Sequence, residues 1–193
     1  MMRKMDTLAG YCKAKTKPEY YQSFKQFTVP YLKTERLILR SPLMDDWPAY
    51  LNLMESPRSH FMGGPVSERF VWGIFCHDVA QWKLLGHGAL MIEDRSSKHC
   101  VRQVGINAGP FFPEHELGWF VYEGFEGNGY AYEAAETLKC WAFKELRLPT
   151  LVSYIDPENA ESCRLAERLH GTLDINAPRE DPEDLVFRYE DDT

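Results

Sequence analysis

Gly127 and Gly129 stand two residues apart, directly before a long amphipathic helix, in the stretch EGNGYAYEAAETLKCWAF from Glu126 to Phe143. Glycine weakens a helix from inside but is useful just outside one, where the backbone turns sharply or is closely approached. A helix start presents N–H groups without partners and a partial positive charge, so small residues there let a phosphate come within hydrogen-bonding range. The chemistry indicated is anion binding, and a pyrophosphate fits such a site without any Lys or Arg. A P-loop requires Gly-Lys-Ser/Thr, whereas Gly129 is followed by Tyr130-Ala131, which excludes it. The dinucleotide fingerprint wants a small residue where Tyr132 stands and an early unit of a parallel sheet, and is poorly met.

The helix behind this loop is read from Ala131, Ala134, Ala135, Leu138, Trp141, Ala142 and Leu146, which recur at steps of three and four. Glu133 and Glu136 lie near its start, Lys144 and Arg147 near its end, and Pro149 is taken as its stop. Before it, Glu116 to Tyr122 reads as an aromatic-rich strand. Arg36 to Arg40 reads as a first strand, and Asp45-Asp46-Trp47-Pro48 opens a helix to about Met54. A second helix is expected from Ser67 to Trp82, and two strands at 85–93 and 101–107 flank the polar link Asp94–His99. After the long helix come a strand at Thr150–Ile155, a short helix to Leu169 and a closing strand at Leu185–Tyr189. Strands and helices in this order give a mixed α/β sheet.

The 193 residues, 44% of them apolar, suit a single core. The organisation expected is an N-terminal arm at 1–30 and one domain at 31–193. Cys12, Cys76, Cys100, Cys140 and Cys163 are odd in number and lack any C-x-x-C pair, so neither a disulfide framework nor a zinc site is indicated. The net charge is -7, with seven acidic residues between Glu180 and Asp192, which argues against nucleic acid as a partner. Without an apolar run of membrane length or a signal-like start, the chain reads as cytoplasmic, with no membrane partner.

A third kind of anion loop resolves the first puzzle. Glu126-Gly127-Asn128-Gly129-Tyr130-Ala131 resembles the acyl-CoA loop of the GNAT N-acetyltransferases in its last two fixed positions, Gly129 and Ala131, and departs at Glu126, where Gln or Arg is usual. Thr34 to Arg40, Glu116 to Trp119 with Gly127 to Ala134, and Asn159 to Ser162 with Ala166 to Leu169 resemble, in order, three motifs of the RimJ/RimL-like branch. The resemblance implies a GNAT fold: a mostly antiparallel sheet flanked by helices, with a splayed pair of strands holding acyl-CoA.

It further implies acetyl-CoA as co-substrate, no metal, and direct attack by a primary amine in a ternary complex. The loop from Glu126 through Gly127, Asn128, Gly129 and Tyr130 to Ala131 would hold the pyrophosphate, and backbone groups of Phe120 and Val121 the pantetheine arm. Glu116 is the candidate to steer the amine or take its proton, its plain alternative being a solvent-facing carboxylate. His115 points to the other face of the strand, as a surface residue. Asn159 is either a CoA contact or a helix N-cap, and Ser162 either a hydroxyl near the thioester sulfur or a structural one. The Tyr that many such enzymes use as proton donor is replaced by Ala166, leaving Ser162 or water. His170 replaces a helix-ending Gly, and Gly171 can take over the cap. Trp72 and Trp82 are acceptor-side candidates, with core or groove wall as the alternative. A protein N-terminus, a small amine, or an amino-sugar or amino-acid derivative all fit as acceptor, chosen within residues 55–90, by a monomer or homodimer. Two rival readings are a silent acyl-CoA-binding sensor and a dinucleotide-binding oxidoreductase.

Overall fold

The computed structural model describes residues 28–191, so the arm read at 1–30 lies almost wholly outside the described residues. The elements run β1 (Leu32–Lys33), β2 (Leu37–Arg40), α1 (Trp47–Met54), α2 (Glu68–Leu84), β3 (Ala89–Asp94), β4 (Cys100–Asn107), β5 (Glu116–Val121), α3 (Tyr130–Trp141), β6 (Leu151–Ile155), α4 (Ala160–Arg168), β7 (Thr172–Leu173) and β8 (Leu185–Tyr189). One eight-stranded sheet has the order β1-β2-β3-β4-β5-β6-β8-β7. Every neighbouring pair is antiparallel except β5 with β6.

Strand alternation sorts the core into two layers. Leu37, Leu39, Leu90, Ile92, Val104, Ile106 and Leu117 point to one face and pack with Ala134, Ala135 and Leu138 of α3 and Leu165 and Ala166 of α4. The other face is thinner. Met91 meets Tyr50 and Met54 of α1 and Val71 and Phe75 of α2, with Phe120 packed against them. Where β4 and β5 continue on this second face their residues are polar or small, and α2 meets them through side-chain hydrogen bonds.

Several boundaries differ from the sequence reading for identifiable reasons. The strand expected at 85–93 begins only at Ala89, because Gly86 at φ 82 turns the chain after α2. The long helix loosens into one π-turn at Ala142–Leu146 and stops at Arg147, in the left-handed region at φ 55, before Pro149 is reached. Beyond α4, His170 itself takes the left-handed position at φ 64. Its N–H donates to the Glu167 carbonyl at 3.0 Å and that of Gly171 to the Ala166 carbonyl at 2.9 Å, the paired bonds of a Schellman cap. Gly171 is there for room, since a Cβ would lie 2.8 Å from the Tyr189 ring. The two-residue strands β1 and β7, and a 3-10 helix at Pro57–Met62, are too short to leave a periodic signal.

The entry to α1 is fastened to the sheet by Arg40. Its guanidinium forks onto both Asp46 carboxylate oxygens at 2.8 and 2.9 Å and reaches Glu93 at 2.9 Å. Asp46 is 3% exposed and also accepts the Leu43 N–H. Burial alone would raise its carboxyl pKa, but Arg40 and that N–H outweigh it and hold the group below its ordinary 3.8. The stabilisation is therefore present above that value and lost as pH falls further. Replacing Asp46 with Ala strands a partly buried arginine, and should lower unfolding free energy by about 3 kcal/mol at neutral pH in denaturant titration.

Candidate active site

The loop between β5 and α3 is shaped by Gly124, Gly127 and Gly129, all with φ between 74 and 84. A side chain at Gly124 or Gly127 would meet nothing within 4 Å, so backbone conformation is what requires glycine there. The loop's carbonyls are tied back. Asn128 Nδ2 donates to the carbonyls of Phe125 and Glu126 at 3.3 and 3.2 Å, and Arg36 Nη1 donates to the carbonyl of Asn128 at 2.9 Å. Arg36 is in turn held by Glu133 at 2.7 Å and by stacking 4.9 Å from the Tyr130 ring centre. With these oxygens tied back, the N-terminus of α3 stands directly behind the loop, where its partial positive charge suits an anion.

Glu126, the acidic departure from the loop pattern, is paired with Arg58 of the 3-10 helix. Burial raises its carboxyl, but N–H groups of Glu126 itself and Gly124, together with Arg58, bring it below the ordinary glutamate value. The acid is neutralised at the mouth of a cavity of about 1250 Å³, lined by Arg58, Glu126, Gly127, Asn128, Gly129 and Ala131 on this side. Arg164 and Arg168, one turn apart on α4, line it as well, with Arg168 stacked 4.7 Å from the Tyr132 ring centre.

The cavity enters the sheet between β5 and β6. These strands share a single rung, Glu116 with Val152, and then part. His115 accepts the Val152 N–H at 2.9 Å and the Leu117 carbonyl accepts Ser153 Oγ, so the odd-numbered residues of β5 turn their peptide groups to β6. The even-numbered ones turn to β4, as the bond from Tyr122 N–H to the Val101 carbonyl shows. It is therefore Trp119 and Val121 whose peptide groups face the widening gap. Phe120 is corrected on this point: its peptide groups face β4, and its side chain lines the cavity on the α1/α2 face.

On that face Gln103, Gly105 and Asn107 of β4 lie in register with Phe120, Gly118 and Glu116 of β5, and all six line the cavity. Glu116 accepts Asn107 Nδ2 at 3.0 Å, and Asn107 Oδ1 accepts Gln81 Nε2 at 3.1 Å, so an amide chain from α2 fixes the carboxylate. Burial raises the Glu116 carboxyl pKa, partly offset by Asn107. Three residues before Gln81, Asp78 stands 7% exposed, accepting the Tyr50 hydroxyl at 3.0 Å and Gln103 Nε2 at 2.9 Å. Burial pushes its carboxyl up to about 6 despite those two bonds. The sequence reading missed Asp78, whose signal was the Asp78/Gln81 spacing of three on one helix face.

Asn159 caps α4, accepting the Ser162 N–H at 3.1 Å, and both residues line the cavity. Ala166 is wholly buried. Neither tryptophan named for the acceptor side reaches the cavity. Trp82 is 1% exposed, with Nε1 bonded to the Ala89 carbonyl at 2.8 Å and its ring against Trp141, so it is core. Trp72 lies on the outer side of α2, its ring edge-on to Trp47 at 5.1 Å. His115 is half-buried rather than a surface residue, its ring 5.1 Å from that of His87. Among the described residues no group of three or more His, Cys, Asp or Glu could hold a metal ion.

Asp78 carries a pH signature. Below its ordinary value of 3.8 the carboxyl is protonated folded and unfolded, whereas above about 6 it is ionised in both and the folded state bears the desolvation cost. Asp78→Asn should therefore raise unfolding free energy by about 1–3 kcal/mol at pH 8, with the gain vanishing near pH 4 in paired denaturant titrations.

Residues 36–172 match the family described as Acetyltransferase (GNAT) domain. A crystal structure of an acetyltransferase from Agrobacterium tumefaciens str. C58 is 57% identical, with a TM-score of 0.83 over 86% of this chain and 96% of that one. RimL, the ribosomal L7/L12 alpha-N-protein acetyltransferase solved with coenzyme A, shares the fold at 18% identity and a TM-score of 0.64, over 84% of this chain and 97% of its own. The uncharacterized N-acetyltransferase YnaD of Bacillus subtilis (strain 168) is 34% identical over 61 residues, 31% of this chain and 36% of that relative. With that family matched over 36–172 and an acetyltransferase of the same fold 57% identical to it, the chain belongs to the GNAT acetyltransferase family.

Proposed function

We propose that this acetyltransferase carries an acetyl group from acetyl-CoA to a primary amine, with both held in one complex and the amine attacking directly. The observation that carries this reading is the single rung between β5 and β6, which leaves the peptide groups of Trp119 and Val121 facing a gap that leads to the glycine loop. An amide-bearing arm lying in that gap would complete the strand edge with hydrogen bonds that β6 does not supply. The loop from Gly127 to Ala131 offers N–H groups to a pyrophosphate, and Arg164 and Arg168 offer cations to the remaining phosphate charge. That a RimL structure of this fold holds coenzyme A supports an acyl-CoA as the co-substrate.

Acetyl-CoA supplies the acetyl group as an activated thioester, whose exchange for an amide leaves a free thiol. The chain supplies proton management. Glu116, deep in the cavity and raised by burial, takes a proton from the incoming ammonium, while Asn107 and Gln81 fix its direction. On the thiol side Ser162, in the first turn of α4, offers the hydroxyl, since Ala166 one turn on has no proton to give. Asn159 serves both readings at once: it caps α4 and thereby sets where Ser162 stands.

Calorimetric titration with acetyl-CoA, CoA and NADH in parallel tests the site. The CoA species should bind and NADH should not; the reverse would overturn the assignment of the loop. Gly127→Val forces a β-branched residue to φ 74, with no clash to confuse the result, and should weaken CoA binding about tenfold or more. Glu116→Gln should lower kcat by about 100-fold while leaving acetyl-CoA affinity unchanged, read by thiol release. An unchanged kcat would remove Glu116 from the chemistry.

A further inference from the structure

Three carboxylates of the described residues are buried, and they are compensated differently. Asp46 meets the Arg40 guanidinium, and Asp94 accepts hydroxyl and peptide N–H bonds from Ser96 and Ser97. Asp78, like Asp94, meets only neutral donors, but Asp94 has five of them, counting the Tyr130 hydroxyl, and Asp78 has two. Both bond to one oxygen, Oδ2, and no donor of the described residues reaches Oδ1. His77, beside it in sequence, makes no hydrogen bond to it. A buried carboxylate without a cation is costly, and this one lines the same cavity as Glu116.

The floor between the two acids is bare. Gly105 and Gly118 face each other across β4 and β5, between the Gln103–Phe120 and Asn107–Glu116 pairs. Packing explains Gly105, where a Cβ would lie 3.1 Å from Ala89 Cα. It does not explain Gly118. A Cβ there would meet only Asn107 Nδ2, at an ordinary 3.6 Å, so the protein leaves room that nothing in it fills. Beside Asp78 the Tyr50 and Phe120 rings stand edge to face at 5.7 Å, with π surface suited to an ammonium group.

We propose that Asp78 and Glu116 bind the two ends of an acceptor that carries two ammonium groups, an α,ω-diamine or a longer amine of that class. This rests on the acetyl-transfer reading above. The amine at Glu116 is the one acetylated, the second is the counter-ion of Asp78, and the methylene chain crosses the glycine floor. The span follows from the frame. Asp78 and Gln81 are one turn apart on α2, a rise of about 4.5 Å, and Gln103 and Asn107 are about 13 Å apart along β4, which brackets the reach of chains of roughly four to eight carbons.

Calorimetry with CoA present, which cannot transfer, separates binding from chemistry. Diamines of four to eight carbons are compared with monoamines of equal length. The best diamine should bind the wild-type protein about tenfold more tightly than its monoamine, and Asp78→Asn should erase that difference. Equal affinity in the wild type, or an equal loss of both in the variant, overturns the proposal. Diamine binding that depends on Asp78 while acetyl-CoA releases no thiol would uphold the diamine site and overturn the transfer reading instead.

Discussion

A strand in the middle of a sheet cannot leave its peptide groups both buried and unpartnered. β5 is the fifth of eight strands, yet only its first residue is bridged to β6. Everything around the cleft accommodates that parting. On the outer face α3 and α4 close over it with apolar contacts, and Lys139 ties them by donating to the Leu169 carbonyl at 2.8 Å while paired with Glu136. At the bridged end Ser153 Oγ engages the Leu117 carbonyl, and Tyr189 donates to Ser153 at 3.0 Å, so the last point of contact is braced from β8. The gap is thus a built opening in a rigid frame.

The opposite face shows what such an opening costs. Where the protein needs only stability it pairs its charges, as at Arg40 with Asp46 or Arg188 with Glu114 and Asp174. Along the cavity floor it does the reverse, placing Asp78 and Glu116 among neutral amides and a phenol and leaving Gly118 inside a strand where packing does not require it. Each choice weakens the folded chain locally and fits a polar site that awaits a ligand.

The parts of this arrangement that were legible in the sequence are those with a short-range signature. Long helices with an apolar stripe, alternating strands and glycines at left-handed positions are properties of neighbouring residues, and α2, α3, β4 and β5 were found close to their bounds. The contacts of Asp78 were not legible, since Tyr50 and Gln103 lie 28 and 25 residues away. Residue type misled at Trp82, where a large ring that suits a groove wall is buried instead. Choosing Phe120 over Trp119 was an error of parity: a strand's two edges look alike until a neighbour such as His115 shows which one faces β6. Arg58 was invisible because it belongs to a six-residue 3-10 helix too short to show a period.

The glycine loop is held in shape from behind, by Arg36 reaching over to Asn128 and Glu133 and by an asparagine folded onto its own neighbours. The letter at 126 is less constrained than those at 125 and 130, where Phe125 packs against the core and Tyr130 carries Arg36 on its ring and bonds Asp94. An acidic residue could enter at 126, with an arginine from a distant turn to balance it, and the loop would survive. The sequence along the loop is therefore a weaker mark of the cleft than the side chains that hold it from outside the motif, at 36, 58 and 133.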